Sequence, residues 1–244
     1  MDFAFFSEVF MRLLGGVPLT LQLAGISVAA GLVLALTLAL ALQTGTRAVT
    51  WPINAYVTLF RGTPLLVQIF LIYYGLGQFR PSLQAVGLWG FFREPYWCAI
   101  LALTLNTAAY GAEIIRGGLQ SVPVGQVEAA RACGMSRFLV YRRVILPVAL
   151  RQALPSYGNE IILMVKGTSL ASIVTLLEVT GIAQQIISQT YRAMEVFICA
   201  GAIYLTLNFI ITRLLGLLEW RLSAHLRPAP GAAAALSTPK GAVS

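Results

Sequence analysis

Glu160 and Lys166 place an acid and a base six residues apart inside a largely apolar stretch, 153–175. If that stretch crosses a bilayer, each charge costs about 2.5–3.5 kcal/mol on insertion scales and must face an interior or a water-filled cavity. Six residues turn a helix by about 240°, so the two cannot pair on one face and each needs its own partner. Asn159, next to Glu160, adds a group that can bind a zwitterion or another helix. Lining a polar path and forming structural ion pairs are equal readings of these residues.

Arg61, Glu113 and Arg116 raise the same question. Arg61 and Arg116 lie near the ends of apolar stretches, from which a long side chain can snorkel to lipid phosphate. Glu113 is three residues before Arg116, the spacing of a local helical pair. Short-range partners therefore favour structural roles. Gly62, Thr63 and Pro64 interrupt the same apolar stretch as Arg61. A kink is the expected meaning of such a Pro, although broken helices also expose backbone in transport folds.

The longest segment between apolar stretches, 117–152, is not low-complexity. Gln126 to Cys133 is strong helix-former sequence, with Glu128 expected in the first turn, where the helix dipole favours an acid. Gly134 ends or bends this helix, Ser136 can cap a second one, and Pro147 leads into the next apolar stretch. Val127, Ala130, Gly134 and Phe138 have the spacing of one helical face. The expectation is a short helix showing small residues to the cytoplasm. A helix lying on the bilayer with its arginines on anionic lipid is the plainer alternative.

The elements that must hold these residues are membrane spans. Of 244 residues, 58% are hydrophobic and 11% charged, and the mean hydropathy is +0.79. A soluble domain carries about 25% charged residues, so this chain cannot coat a soluble globule. A spanning helix needs about 20 mostly apolar residues. Five segments qualify: 17–42, 54–77, 96–116, 153–175 and 195–217. They form one domain over 1–224, and the Ala/Pro/Gly/Ser-rich 225–244 reads as a disordered cytoplasmic tail. Arg47, the five arginines of 117–152, and Arg221, Arg227 and Lys240 fall on one side, against Arg12, Arg80, Arg93 and Arg192 on the other. The positive-inside rule then puts the N-terminus outside and the C-terminus inside. The fold class is an all-α membrane protein of about five transmembrane helices, with a short cytoplasmic helix between spans three and four.

Several functions are excluded. The net charge of +8 belongs to cytoplasmic loops facing lipid, so nucleic acid is not an expected partner. Cys98, Cys133 and Cys199 are odd in number and widely spaced, and the one histidine, His225, sits in the tail, so no metal site or disulfide framework is expected. No cofactor is expected. No nucleophile–base pair is recognisable, and the start of the chain does not read as a cleavable signal peptide. There is no G-x-x-x-x-G-K-[ST] stretch to cradle ATP phosphates, so the chain is not expected to be an enzyme.

Glu128-Ala129-Ala130, three residues, Gly134, nine residues, then Val144-Ile145-Leu146-Pro147 resembles the EAA signature of permease subunits of ATP-binding-cassette importers, with Val144 in place of an Ile. Phe60 to Gln68, Tyr110 to Gly118, Asn159 to Leu163 and Thr168-Ser169-Leu170 resemble the polar amino-acid branch of that family, nearest to permeases for histidine, arginine, ornithine and opines. The resemblance leaves out only the first ten residues and the tail. It implies a multi-pass protein of the bacterial cytoplasmic (inner) membrane that imports a polar, basic amino acid or opine. Its implied partners are a cytoplasmic ATPase dimer, a second permease subunit in a homo- or heterodimer, and an extracytoplasmic solute-binding protein. Glu128, Ala129, Ala130 and Gly134 become the coupling contact, flanked by Arg131 and Arg137. Asn159, Glu160, Lys166, Thr168 and Ser169 become pathway candidates, and Arg61, Pro64, Glu113 and Arg116 structural or gating ones. The competing reading is a stand-alone transporter or channel driven by an ion gradient, with Glu160 and Lys166 as relay groups. Such a protein usually shows more spans or an inverted repeat. A non-transporting scaffold is disfavoured by the charges of span four.

Overall fold

The computed structural model describes residues 3–43 and 45–222, and every regular element among them is helical. The expected tail, 225–244 with His225, lies outside the described residues. Helix α1 (Phe3–Leu14) leads almost end to end into α2 (Val17–Leu42). Helix α3 (Arg47–Gly62) meets α4 (Leu65–Phe70, prolonged by a π turn over Leu71–Gly75) at 109°. Two short helices, α5 (Arg80–Ala85) and α6 (Trp89–Phe92), lead to α7 (Pro95–Gln120). Then come α8 (Val124–Ala132) and α9 (Arg137–Val140). A π turn, Tyr141–Ile145, joins α9 to α10 (Leu146–Gly167), which tightens into a 3₁₀ turn over Thr168–Val174. Helices α11 (Val179–Thr190) and α12 (Ala193–Leu222) complete the described chain.

Among the described residues, three helical stretches, Phe3–Leu42, Pro95–Gln120 and Ala193–Arg221, are long and apolar enough to cross a membrane. Counting α3 with α4, and Arg137–Val174 with α11, as bent spans brings the number to five. The span made by α3 and α4 differs from expectation. It starts at Arg47 rather than near 54, and Gly62-Thr63-Pro64 makes two helices instead of one kinked helix. Pro64 has no N–H to continue the ladder and pushes Thr63 out of the helical region; Thr63 is extended, at φ −119° and ψ 145°.

Helix α7 is the hub, with α2, α3, α4 and α10 packed around it. Lipid is as apolar as leucine, so a membrane helix buries the side that allows close approach rather than the greasiest side. The buried residues of α2 include Ala24, Ser27, Gly31, Ala35 and Ala39, a small-residue stripe at three- and four-residue spacing. Val33, Leu36 and Leu40 are left exposed. Helix α7 answers with Ala99, Ala102, Ala108, Gly111 and Ala112. A Cβ at Gly111 would lie 2.9 Å from the Ala35 Cβ, so nothing larger than glycine fits there. A second core joins α1 (Val9, Leu13), α11 (Val179, Ala183, Ile186) and α12 (Val196, Cys199, Ala200, Ile203). Neither α1 nor α11 was expected from the sequence as a packing element.

Candidate functional site

The EAA-type segment is built as a short helix with a defined stop. Pro123, extended at ψ 128°, precedes α8. At the other end Gly134 takes φ +78°. Its N–H donates to the Arg131 carbonyl at 2.9 Å, and the Met135 N–H donates to the Ala130 carbonyl at 3.2 Å. That pair of bonds is a Schellman closure, and its left-handed position is the reason for glycine. The Ser136 hydroxyl accepts from the Leu139 N–H at 3.4 Å and caps α9.

Two expectations about this helix need correcting. Helix α8 starts at Val124, so Glu128 falls in the second turn and gains little from the dipole. The face expected from Val127, Ala130, Gly134 and Phe138 does not exist. The helix stops at Ala132, Gly134 is a turn residue, Phe138 belongs to α9, and Ala130 is only 7% exposed. The exposed side carries Gln126, Glu128, Ala129 and Arg131, with Arg137 exposed beyond the turn.

The candidates of α10 separate by side. Glu160 is 6% exposed, buried within the packing of α10. Asn159 and Lys166 are exposed. Gln152 and Ser156 are exposed on the same side of α10, where the exposed Leu163 separates Asn159 from Lys166, and Ser169 is half-buried in the turn that follows. Thr168 is fully buried and donates to the Val165 carbonyl at 2.7 Å. The Ser169 hydroxyl donates to the Lys166 carbonyl at 2.7 Å.

Arg61, Glu113 and Arg116 come together across α3 and α7. Arg116 donates through Nε and Nη2 to the two Glu113 oxygens at 3.0 and 2.6 Å. Arg61 Nη1 stands 3.6 Å from Glu113 Oε2, and its guanidinium lies 5.4 Å from the centre of the Tyr110 ring. They line a cleft of about 580 Å³ with Asn54 and Thr58. Past it, Asn54 and Arg116 also border a recess of about 380 Å³ lined by Gln43, Thr50 and Gln120.

Two buried polar groups escaped the sequence reading as individual residues. Gln68 follows the break at Pro64; its Nε2 donates to the Phe60 carbonyl at 2.8 Å, the Thr63 carbonyl at 3.1 Å and the Thr63 hydroxyl at 2.9 Å. Asn106 Nδ2 donates to Gln68 Oε1 at 2.9 Å. Glu178 is 0% exposed. It accepts from the Gly181 N–H at 2.9 Å and the Tyr204 hydroxyl at 2.6 Å, and Thr20 Oγ1 lies 3.5 Å from it. The available signal was an acid directly before a helix start.

The chain matches the family described as "binding-protein-dependent transport system inner membrane component" over residues 27–224. It is 61% identical over 221 residues to the octopine transport system permease protein of Rhizobium meliloti, covering 91% of this chain and 90% of that one. It is 57% identical over 234 residues to the nopaline transport system permease protein of Agrobacterium fabrum, covering 96% and 97%. A solved structure described as an amino acid ABC transporter with histidines superposes with a TM-score of 0.81 at 36% identity, covering 91% of this chain and 99% of that one.

Proposed function

The chain belongs to the family of binding-protein-dependent transport system inner membrane components, and from that premise we propose that it forms the translocation pathway of an ATP-driven importer for an opine or a basic amino acid. Kinship with octopine and nopaline permeases over about nine-tenths of each chain supports the solute class. Membership implies an inner-membrane protein that works with an ATPase and a binding protein. We take the ATPase as a cytoplasmic dimer, the binding protein as extracytoplasmic, and the pathway as completed by a second permease subunit. The N-terminus is outside and α8 and the C-terminus are cytoplasmic, in keeping with the distribution of arginines.

The observation that carries the coupling is α8, a nine-residue helix closed by Gly134 with Glu128, Ala129 and Arg131 exposed. Small side chains let a second backbone come close, and Glu128 offers a carboxylate to a basic or hydrogen-bonding group of the ATPase. Arg131 and Arg137 flank that contact. Ala130 works from below, seating α8 on the permease so that it moves as one body with it. Within the membrane, Asn159, Lys166 and Ser169 line the path, with Glu160 behind them as a carboxylate for a cationic group. Thr168 holds the turn after α10, and Pro64 sets the break of span two.

The test is an affinity pull-down of the tagged chain from its native membranes under mild detergent. The expected result is co-purification of an ATPase carrying the phosphate-binding G-x-x-x-x-G-K-[ST] loop. A folded chain that repeatedly purifies alone would move the assignment to a gradient-driven transporter.

A further inference from the structure

We infer that the cleft between α3 and α7 is a carboxylate subsite for the solute, with Arg61 as the anion contact. The inference rests on the importer reading given above and adds a site to it. Three observations carry it. First, the two guanidiniums are not equivalent. Arg116 takes both oxygens of Glu113 in a bidentate pair, the strongest geometry such a pair has. Arg61 reaches the same carboxylate only at 3.6 Å and through one nitrogen. A guanidinium carries five N–H donors in a planar fork, and no hydrogen bond of the Arg61 side chain is seen among the described residues. Its fork is therefore held over Tyr110 without a bidentate partner.

Second, the charges of the lining do not cancel. Arg61 and Arg116 face one carboxylate, Glu113, across about 580 Å³ that also presents Asn54, Thr58 and the Tyr110 ring. That volume lies in the range of small-molecule sites. Third, the cleft shares Asn54 and Arg116 with the recess lined by Gln43, Thr50 and Gln120, at the end of α7 that leads into α8. A chain with 11% charged residues thus gathers a run of polar groups there. A solute carboxylate entering the cleft would take the free edge of the Arg61 fork, while Glu113 stays with Arg116.

Octopine, arginine and agmatine carry two, one and no carboxylate on a common guanidino chain, so they serve as probes. Their binding is measured directly on the purified permease–ATPase complex without its binding protein. Wild type is expected to bind octopine and arginine more tightly than agmatine. Arg61→Gln is expected to weaken octopine and arginine by roughly tenfold to a hundredfold, the worth of a charge-assisted bidentate contact, with agmatine unchanged. Arg61→Lys, which keeps the charge and loses the fork, should fall between, and it serves if the glutamine variant does not fold. Equal loss for all three probes, or no carboxylate-dependent binding by wild type, overturns the subsite. So does unchanged octopine affinity in Arg61→Gln together with loss of co-purifying anionic lipid, which would make Arg61 a headgroup contact. Those outcomes leave the importer reading intact if the wild-type complex still carries out ATP-driven uptake of octopine. Absence of ATP-driven uptake of octopine, nopaline and arginine alike would instead remove the importer reading itself.

Discussion

Gln68 donates its side-chain amide to the Phe60 carbonyl at 2.8 Å, across the break that Thr63 and Pro64 make in the second apolar segment. A helix that ends inside a membrane leaves carbonyls without water to bond them, and each unsatisfied group costs several kcal/mol there. Gln68 answers two of these carbonyls and is itself oriented by Asn106. The 109° bend is therefore a satisfied structure.

Replacing Gln68 by leucine keeps its bulk and leaves the Phe60 and Thr63 carbonyls and the Asn106 amide without their partner. The expected loss is about 2 kcal/mol or more. It should be read as a lower thermal midpoint of the detergent-purified complex, with Asn106→Leu losing less because the two carbonyls stay bonded. Equal midpoints for wild type and Gln68→Leu would contradict this account of the bend.

Glu178 ties α11 to α12 through Tyr204 and to α2 through Thr20. Glu178→Ala strands the Gly181 N–H in a buried site, at a cost of about 1–3 kcal/mol, and leaves the Tyr204 hydroxyl only the Thr180 hydroxyl, 3.1 Å away, as a partner. Glu178→Gln keeps an acceptor for one donor and should lose distinctly less. Thermal unfolding of the two variants side by side checks the order; a reversed order would show that the carboxylate is not held by these donors.

How much of this was legible in the sequence depends on the distance over which each feature is set. The bounds of α2, the break at Gly62-Thr63-Pro64 and the stop at Gly134 are written in neighbouring residues. The pair Glu113–Arg116 is written in a three-residue spacing. The packing face of α2 was not legible, because the helix is apolar all round and its buried stripe is selected by size. Helix α11 carries Gln184, Gln185 and Ser188, which read as a loop until α1 and α12 are seen to cover its apolar side. Glu178 meets Thr20 across 158 residues of chain, a relationship that no local pattern records. The α8 face was misread because the helix was extended beyond its own glycine stop.

At Gly134 an added Cβ would meet nothing within 4 Å, while the backbone sits at φ +78°. Gly134→Ala should then cost about 1–2 kcal/mol of local strain without a clash, and Gly134→Asn less. Gly134→Trp should insert normally, lose the ATPase in a pull-down and abolish uptake. Normal uptake by the tryptophan variant would remove the coupling role of α8.

Lys166 is exposed in the last turn of α10, inside the apolar stretch 153–175, where lipid would penalise it. Lys166→Met should therefore leave membrane insertion and thermal stability unchanged or improved while lowering octopine uptake at least several-fold. Loss of the protein from the membrane in that variant would instead make Lys166 a structural residue paired with a partner subunit.

The central claim is that this chain moves its solute only as part of an ATP-driven assembly. The most direct measurement is accumulation of radiolabelled octopine in proteoliposomes containing the permease and its co-purified ATPase, with the binding protein and ATP added or withheld. Accumulation that requires ATP, the ATPase and the binding protein together is the result expected. Accumulation by the chain alone, driven by an ion gradient and indifferent to ATP, would contradict it.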